Sequence, residues 1–124
     1  MNSKQKGSLV EAAAVSRFYK MGYEVLIPFG NRRPYDLVVD NGVKLLKVQC
    51  KFAGFSSRDG HVAHLTVCGG NQSFNTRRKY EKEDFDLLYI YTQDNREFLL
   101  NWPEVECASY LRVDASKYDK YKIN

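Results

Sequence analysis

Cysteine is scarce in this sequence of 124 residues: Cys50, Cys68 and Cys107 are odd in number and widely spaced. That pattern fits neither a disulfide framework nor the paired spacing of a structural zinc site. A reducing, cytoplasmic setting is the simplest expectation. Long apolar runs are also missing, since none approaches the ~20 residues that a membrane span needs. Met1-Asn2-Ser3-Lys4-Gln5-Lys6 leads directly into a helical pattern, so no signal peptide is expected. No repeat, linker or low-complexity tract divides the chain, which reads as a single domain over residues 1–124.

What is present is an ordinary globular composition, 44% hydrophobic and 27% charged, sufficient for a real core. The net charge of +4 is unevenly spread. Residues 1–79 carry 13 Lys+Arg against 5 Asp+Glu, whereas residues 80–124 carry 6 against 10. A basic front and an acidic back suit a protein that meets a polyanion with one face.

Apolar periodicity predicts a helix over residues 3–21, closed by Gly22. Strands are expected over 23–29, 36–40, 43–52, 61–67, 85–91 and 97–102. Residues 54–60 read as a loop, 69–83 as polar and irregular with one helical turn, and 103–105 as the opening of a short helix. Asn41-Gly42 is a hairpin signal. The order, one helix followed by strands and then mixed elements, implies an α/β (α+β) fold around a mixed central sheet flanked by helices.

Two local anomalies point to a site. On a helical projection Glu11 lies within about 60° of Ala14, Val15 and Phe18, with Ser16, Arg17 and Lys20 opposite. A carboxylate on the stripe facing the core costs several kcal/mol unless it has a partner. The second anomaly is the hairpin. If Asn41-Gly42 is a two-residue loop, Asp40 pairs with Val43 and Asp36 lies opposite Lys47. Parity then puts Asp36, Lys47, Gln49 and Lys51 on one side, and Leu46, Val48, Cys50 and Phe52 on the other. Two carboxylates and an amide oxygen are hard ligands of the kind Mg²⁺ prefers. A lysine beside them can position a water or steady phosphate charge, and metal-assisted phosphodiester hydrolysis requires these parts.

At these residues the chain resembles the PD-(D/E)XK nuclease superfamily. The signature of an acid at one strand start followed by acid-x-Lys on the next reads here as Tyr35-Asp36 and Gln49-Cys50-Lys51. The additional helical glutamate matches Glu11 in Lys6-Gly7-Ser8-Leu9-Val10-Glu11. Tyr35 stands where proline is usual, and Gln49 where Asp or Glu is usual. The Gly-x-x-x-Glu helix, the Pro28-Phe29-Gly30 turn and Gln-x-Lys are most similar to the homing endonucleases of cyanobacterial tRNA group I introns. The resemblance implies a restriction-endonuclease-like core with a mainly four-stranded sheet. It also implies attack of water on a DNA phosphodiester that leaves a 5′-phosphate. In that scheme Asp36 is the principal metal ligand, assisted by Gln49 and the Cys50 carbonyl. Glu11 holds a second ion or a water, and Lys51 positions the nucleophile. The implied cofactor is Mg²⁺, with Mn²⁺ as a substitute.

Arg32, Arg33, Arg58, Arg77, Arg78 and Lys79 are candidates for contacts to double-stranded DNA. His61 and His64 fall on opposite faces of a strand, and Asp86 and the tyrosines read as structural. A domain this small touches few base pairs, so a long target implies a dimer or tetramer. The location expected is the cytoplasm of a bacterium or phage-infected cell, near the nucleoid, and no membrane partner is expected. Two competing functions share this fold: a Holliday-junction-resolving nuclease, and a DNA-binding protein that Gln49 has left without catalysis.

Overall fold

The computed structural model describes residues 1–30, 32–68, 77–106 and 109–124, with the main chain alone at Val67, Cys68 and Arg77. Helix α1 spans Ser3–Lys20. The Asn2 side chain accepts from the Gln5 amide and the Gln5 side chain accepts from the Asn2 amide, both at 2.9 Å, which fixes its start. Met21 caps its end, and Gly22, at φ 88°, takes the left-handed conformation that turns the chain away. Val10, Ala14 and Phe18, four residues apart, form its buried row.

The strands are β1 (Glu24–Leu26), β2 (Leu37–Asp40), β3 (Leu45–Ser56), β4 (Gly60–His64), β5 (Thr66–Cys68), β6 (Arg77–Lys79), β7 (Leu87–Thr92), β8 (Glu97–Asn101) and β9 (Tyr110–Arg112). Short 3₁₀ turns cover Trp102–Glu104 and Ser116–Tyr121. Strand β3 organises the sheet. Its first half pairs with β2 antiparallel, its middle with β7 parallel, and its end with β4 antiparallel. Beyond these neighbours, β1 pairs with β2, β8 with β7 and β9 with β4, giving a seven-stranded mixed sheet. Strands β5 and β6 form a separate antiparallel pair.

Each face of the sheet has its own core. Helix α1 lays Val10, Ala14 and Phe18 against Leu37, Val39, Val48, Cys50 and Tyr89. The opposite face packs Leu88, Ile90 and Ala53 with Phe85, Trp102, Leu111 and Val113. A partly buried triad ties the helix to the sheet. Arg17 donates to Glu97 at 2.7 and 3.1 Å, and the Tyr89 hydroxyl donates to the same carboxylate at 2.6 Å. Arg17 holds Glu97 below the usual carboxylate range against the effect of burial, with help from the Tyr89 hydroxyl.

Several expectations are corrected. The α/β class and mixed sheet are as expected; among the described residues one α-helix, α1, flanks the sheet, and strands and 3₁₀ turns cover the other side. The sheet has seven strands rather than mainly four. Residues 77–79, expected to be irregular, form β6, whereas 69–76 lie outside the described residues. Cys107 also lies outside them, as does the Cys68 side chain. The hairpin loop is longer than two residues. Asp40 pairs with Leu45. The Asn41 side chain accepts from the Val43 and Lys44 amides at 2.9 Å, and Gly42 supplies φ 89°. The asparagine satisfies a four-residue turn instead of forming the centre of a two-residue one. No helix among the described residues is long and apolar enough to cross a membrane.

Candidate active site

The register shift of two residues preserves parity, so Lys47, Gln49 and Lys51 still share the face of β3 away from α1. It changes their partners. Leu37 pairs with Val48, which moves Asp36 away from its expected place opposite Lys47 and beside Gln49 and Cys50. The Asp36 amide donates to the Val48 carbonyl at 2.8 Å. Its carboxylate oxygen Oδ2 then accepts from the Cys50 amide at 2.9 Å. The side chain therefore continues the ladder where β2 has ended, along the edge of β3.

That arrangement also aims a carbonyl. In an extended strand the N–H and C=O of one residue project to the same side. Since the Cys50 amide meets Asp36, the Cys50 carbonyl faces the same open edge. Gln49 is buried, and its Nε2 donates to the Pro34 carbonyl at 2.8 Å. A carbonyl only accepts, so this bond fixes the amide: the nitrogen is committed and Oε1 is the end left to accept.

Glu11 is not at the centre of the buried stripe. Val10, Ala14 and Phe18 define that row, and Glu11 is exposed at its margin. From there its carboxyl reaches Asp36. Partial burial raises the Glu11 pKa, and the Asp36 charge and a hydrogen bond between the two carboxyls raise it further. The Asp36 carboxyl is raised by burial too, although the Cys50 amide, the Lys51 charge and the Glu11 contact oppose the shift. Both acids are thus held in a state that a cation between them would relieve. Burial, then the Asp36 and Glu11 charges, push the Cys50 thiol up, which keeps it protonated and excludes it as a thiolate nucleophile.

Lys51 is half-buried and its charge acts on Asp36. Its Nζ lies 5.1 Å from the centroid of the Tyr80 ring. Tyr80 is held edge-on against Phe85 and Trp102, so the lysine stands on an aromatic wall. Lys47 has a different occupation. Its Nζ donates to the Glu83 carbonyl at 2.9 Å and lies over Tyr35. Asp86 binds both main-chain groups of Lys47, through its Oδ2 and its amide, which accounts for its structural character.

Among the described residues, no group of three or more His, Cys, Asp and Glu is arranged to hold a metal. The site has two carboxylates where an acid at position 49 would make a third. Two negative charges, one fixed amide oxygen and one directed main-chain carbonyl still form a hard-oxygen set that fits a divalent cation. His61 is buried against Asp114 at 2.9 Å, whereas His64 is exposed, as strand alternation implies. Arg32, Arg33, Arg58 and Lys79 are exposed. Arg78 is exposed too but pairs with Asp84 at 3.0 Å, and the Arg77 side chain lies outside the described residues. The sequence marks Tyr80 only as a packing tyrosine and does not single out Lys6 as a site residue. Lys6 carries a weak signal, standing one helical turn before the buried Val10; Tyr80 carries none, because its role depends on the fold.

Comparison with known proteins bears on the fold and the family. Protein 5.3 of Escherichia phage T7 is 31% identical over 103 residues, covering 81% of this chain and 80% of that protein. The solved structure of a bacterial homing endonuclease, I-Ssp6803I, matches with a TM-score of 0.84 at 29% identity, covering 98% of this chain and 89% of its own. The fold is accordingly restriction-endonuclease-like. The family model of the PD-(D/E)XK endonucleases matches residues 1–124, and the chain belongs to that family.

Proposed function

We propose that the protein is a Mg²⁺-dependent endonuclease that hydrolyses phosphodiester bonds in double-stranded DNA, at specific sites in the manner of homing enzymes. Residues 1–124 act as one domain in this reading, and copies assemble as a dimer or tetramer to span a target. The observation that carries it is the placement of Asp36, bonded to the Cys50 amide where β2 ends, between Glu11 and Lys51.

Asp36 would hold the cation, with Gln49 Oε1 and the Cys50 carbonyl assisting, and Glu11 would hold a second ion or a water. A divalent cation bound there supplies neutralisation of phosphate charge and a water of lowered pKa. Lys51 orients the attacking water and offsets charge developing on the phosphate. The Tyr80 ring limits where its ammonium can go.

The test is incubation of purified protein with a linear duplex library and with a four-way junction, with Mg²⁺, with Mn²⁺ and with chelator. Metal-dependent cutting of duplex is expected. Cutting of the junction alone would transfer the assignment to junction resolution. Binding without cutting of either would favour a non-catalytic DNA-binding protein, the reading that the uncharged Gln49 supports.

A further inference from the structure

An open groove of about 590 Å³ runs between the first turns of α1 and the β3–β4 hairpin. Cys50 and Lys51 line it and also belong to the site around Asp36, so the two are continuous. Lys6 from α1 and His64 from β4 belong to the groove alone. Lys6 is half-buried with its Nζ 5.6 Å from the Phe52 ring centroid, so its stem lies along the groove wall. The carboxylate among the lining residues is Asp59, which is committed to Arg112 at 2.8 Å. Lysines from two elements and a histidine from a third thus face one channel in which the acid is already neutralised.

The helix itself does not account for these charges. Its first turn contains no acidic residue, and Lys6 stands near the end where the helix dipole disfavours cations. An anion in the groove would remove that mismatch.

We propose that this groove is the track of one DNA strand beside the cleavage point, with Lys6 and His64 contacting its phosphates. The inference rests on the nuclease reading and deepens it, by naming the path the strand takes away from Asp36 and Lys51. Phosphate contacts of this kind set position and register without reading sequence.

The experiment measures binding of a fluorescein-labelled, random-sequence short duplex by anisotropy, across a salt series, in the uncut Asp36→Asn background. Lys6→Ala, His64→Ala and the double variant are compared with Lys20→Ala, which lies about 21 Å along the same helix. Unchanged circular dichroism checks folding, and Lys6→Glu provides a charge reversal at the same half-buried position. Weaker binding is expected for Lys6→Ala, with the slope of log affinity against log salt reduced by about 0.9. Lys6→Glu should weaken binding further, and Lys20→Ala should match the parent. If the parent binds DNA and the Lys6 and His64 variants behave like Lys20→Ala, the track is overturned while the nuclease reading stands. If the parent and the wild-type protein bind no DNA at all, the nuclease reading fails and this inference falls with it.

Discussion

Asp36→Asn should make the cation-free protein more stable. The substituted amide keeps an oxygen to accept from the Cys50 amide, the 2.9 Å bond that replaces the missing ladder contact. It removes one of two carboxyls that share a hydrogen bond and repel when both are ionised. Two unit charges ~4 Å apart interact by about 1 kcal/mol in water and about 4 kcal/mol near a protein surface. Glu11 is exposed, so screening favours the lower figure, about 1 kcal/mol. For a chain of this size that corresponds to a rise in Tm of about 3–5 °C.

The pH dependence has a defined sign. Both carboxyls titrate above their ordinary values in the folded state, so between those values the folded protein holds more protons than the unfolded chain. Stability therefore falls as pH rises through that window, and the advantage of the variant opens across it. Added Mg²⁺ should reverse the order. At about a hundredfold excess over Kd it stabilises the wild type by roughly 2.7 kcal/mol, and the variant should gain little. Thermal melts with and without Mg²⁺ at acid and neutral pH measure all of this. A cation-free variant less stable than wild type at neutral pH, with an equal response to Mg²⁺, would refute the reasoning.

Three further outcomes follow from other parts of the structure. Glu97→Gln should destabilise by about 2 kcal/mol, the scale of hydrogen bonds to a charged group, because Arg17 and the Tyr89 hydroxyl both bind Glu97. Its contribution is present above the ordinary glutamate pKa and lost as pH falls through the lowered folded value, so acid melts should show a shallower loss in the variant. Tyr80→Leu should lower kcat up to about tenfold with little change in KM, whereas Tyr80→Phe, which keeps the ring beneath Lys51, should retain most activity in a steady-state cleavage assay. Gly60→Ala should cost about 1–3 kcal/mol in denaturant unfolding, since φ is 73° there and the new Cβ would lie 2.5 Å from Asp114 Oδ2.

Much of the site could be read from the sequence because side-chain parity survives an error of two residues. A tight turn centred on Asn41-Gly42 displaces the pairing by that amount, yet Lys47, Gln49 and Lys51 keep their common face. Helical phase was less forgiving. Val10 is buried as deeply as Phe18, and leaving it out moved the stripe onto Glu11. The core strands β3 and β7 were visible as apolar runs. Strand β9 was not, because its three residues are a strand only through pairing with β4, about fifty residues earlier. The Lys51–Tyr80 contact and the groove around Lys6 depend on distant segments meeting, which no local pattern encodes.

The most direct test of the central claim is single-turnover cleavage of a cognate duplex, selected from the library, by wild type and Asp36→Asn at saturating Mg²⁺. At least about a hundredfold loss of rate is expected in the variant, the scale of removing one electrostatic stabiliser from a site, with DNA binding retained. Cleavage by Asp36→Asn at the wild-type rate would contradict it.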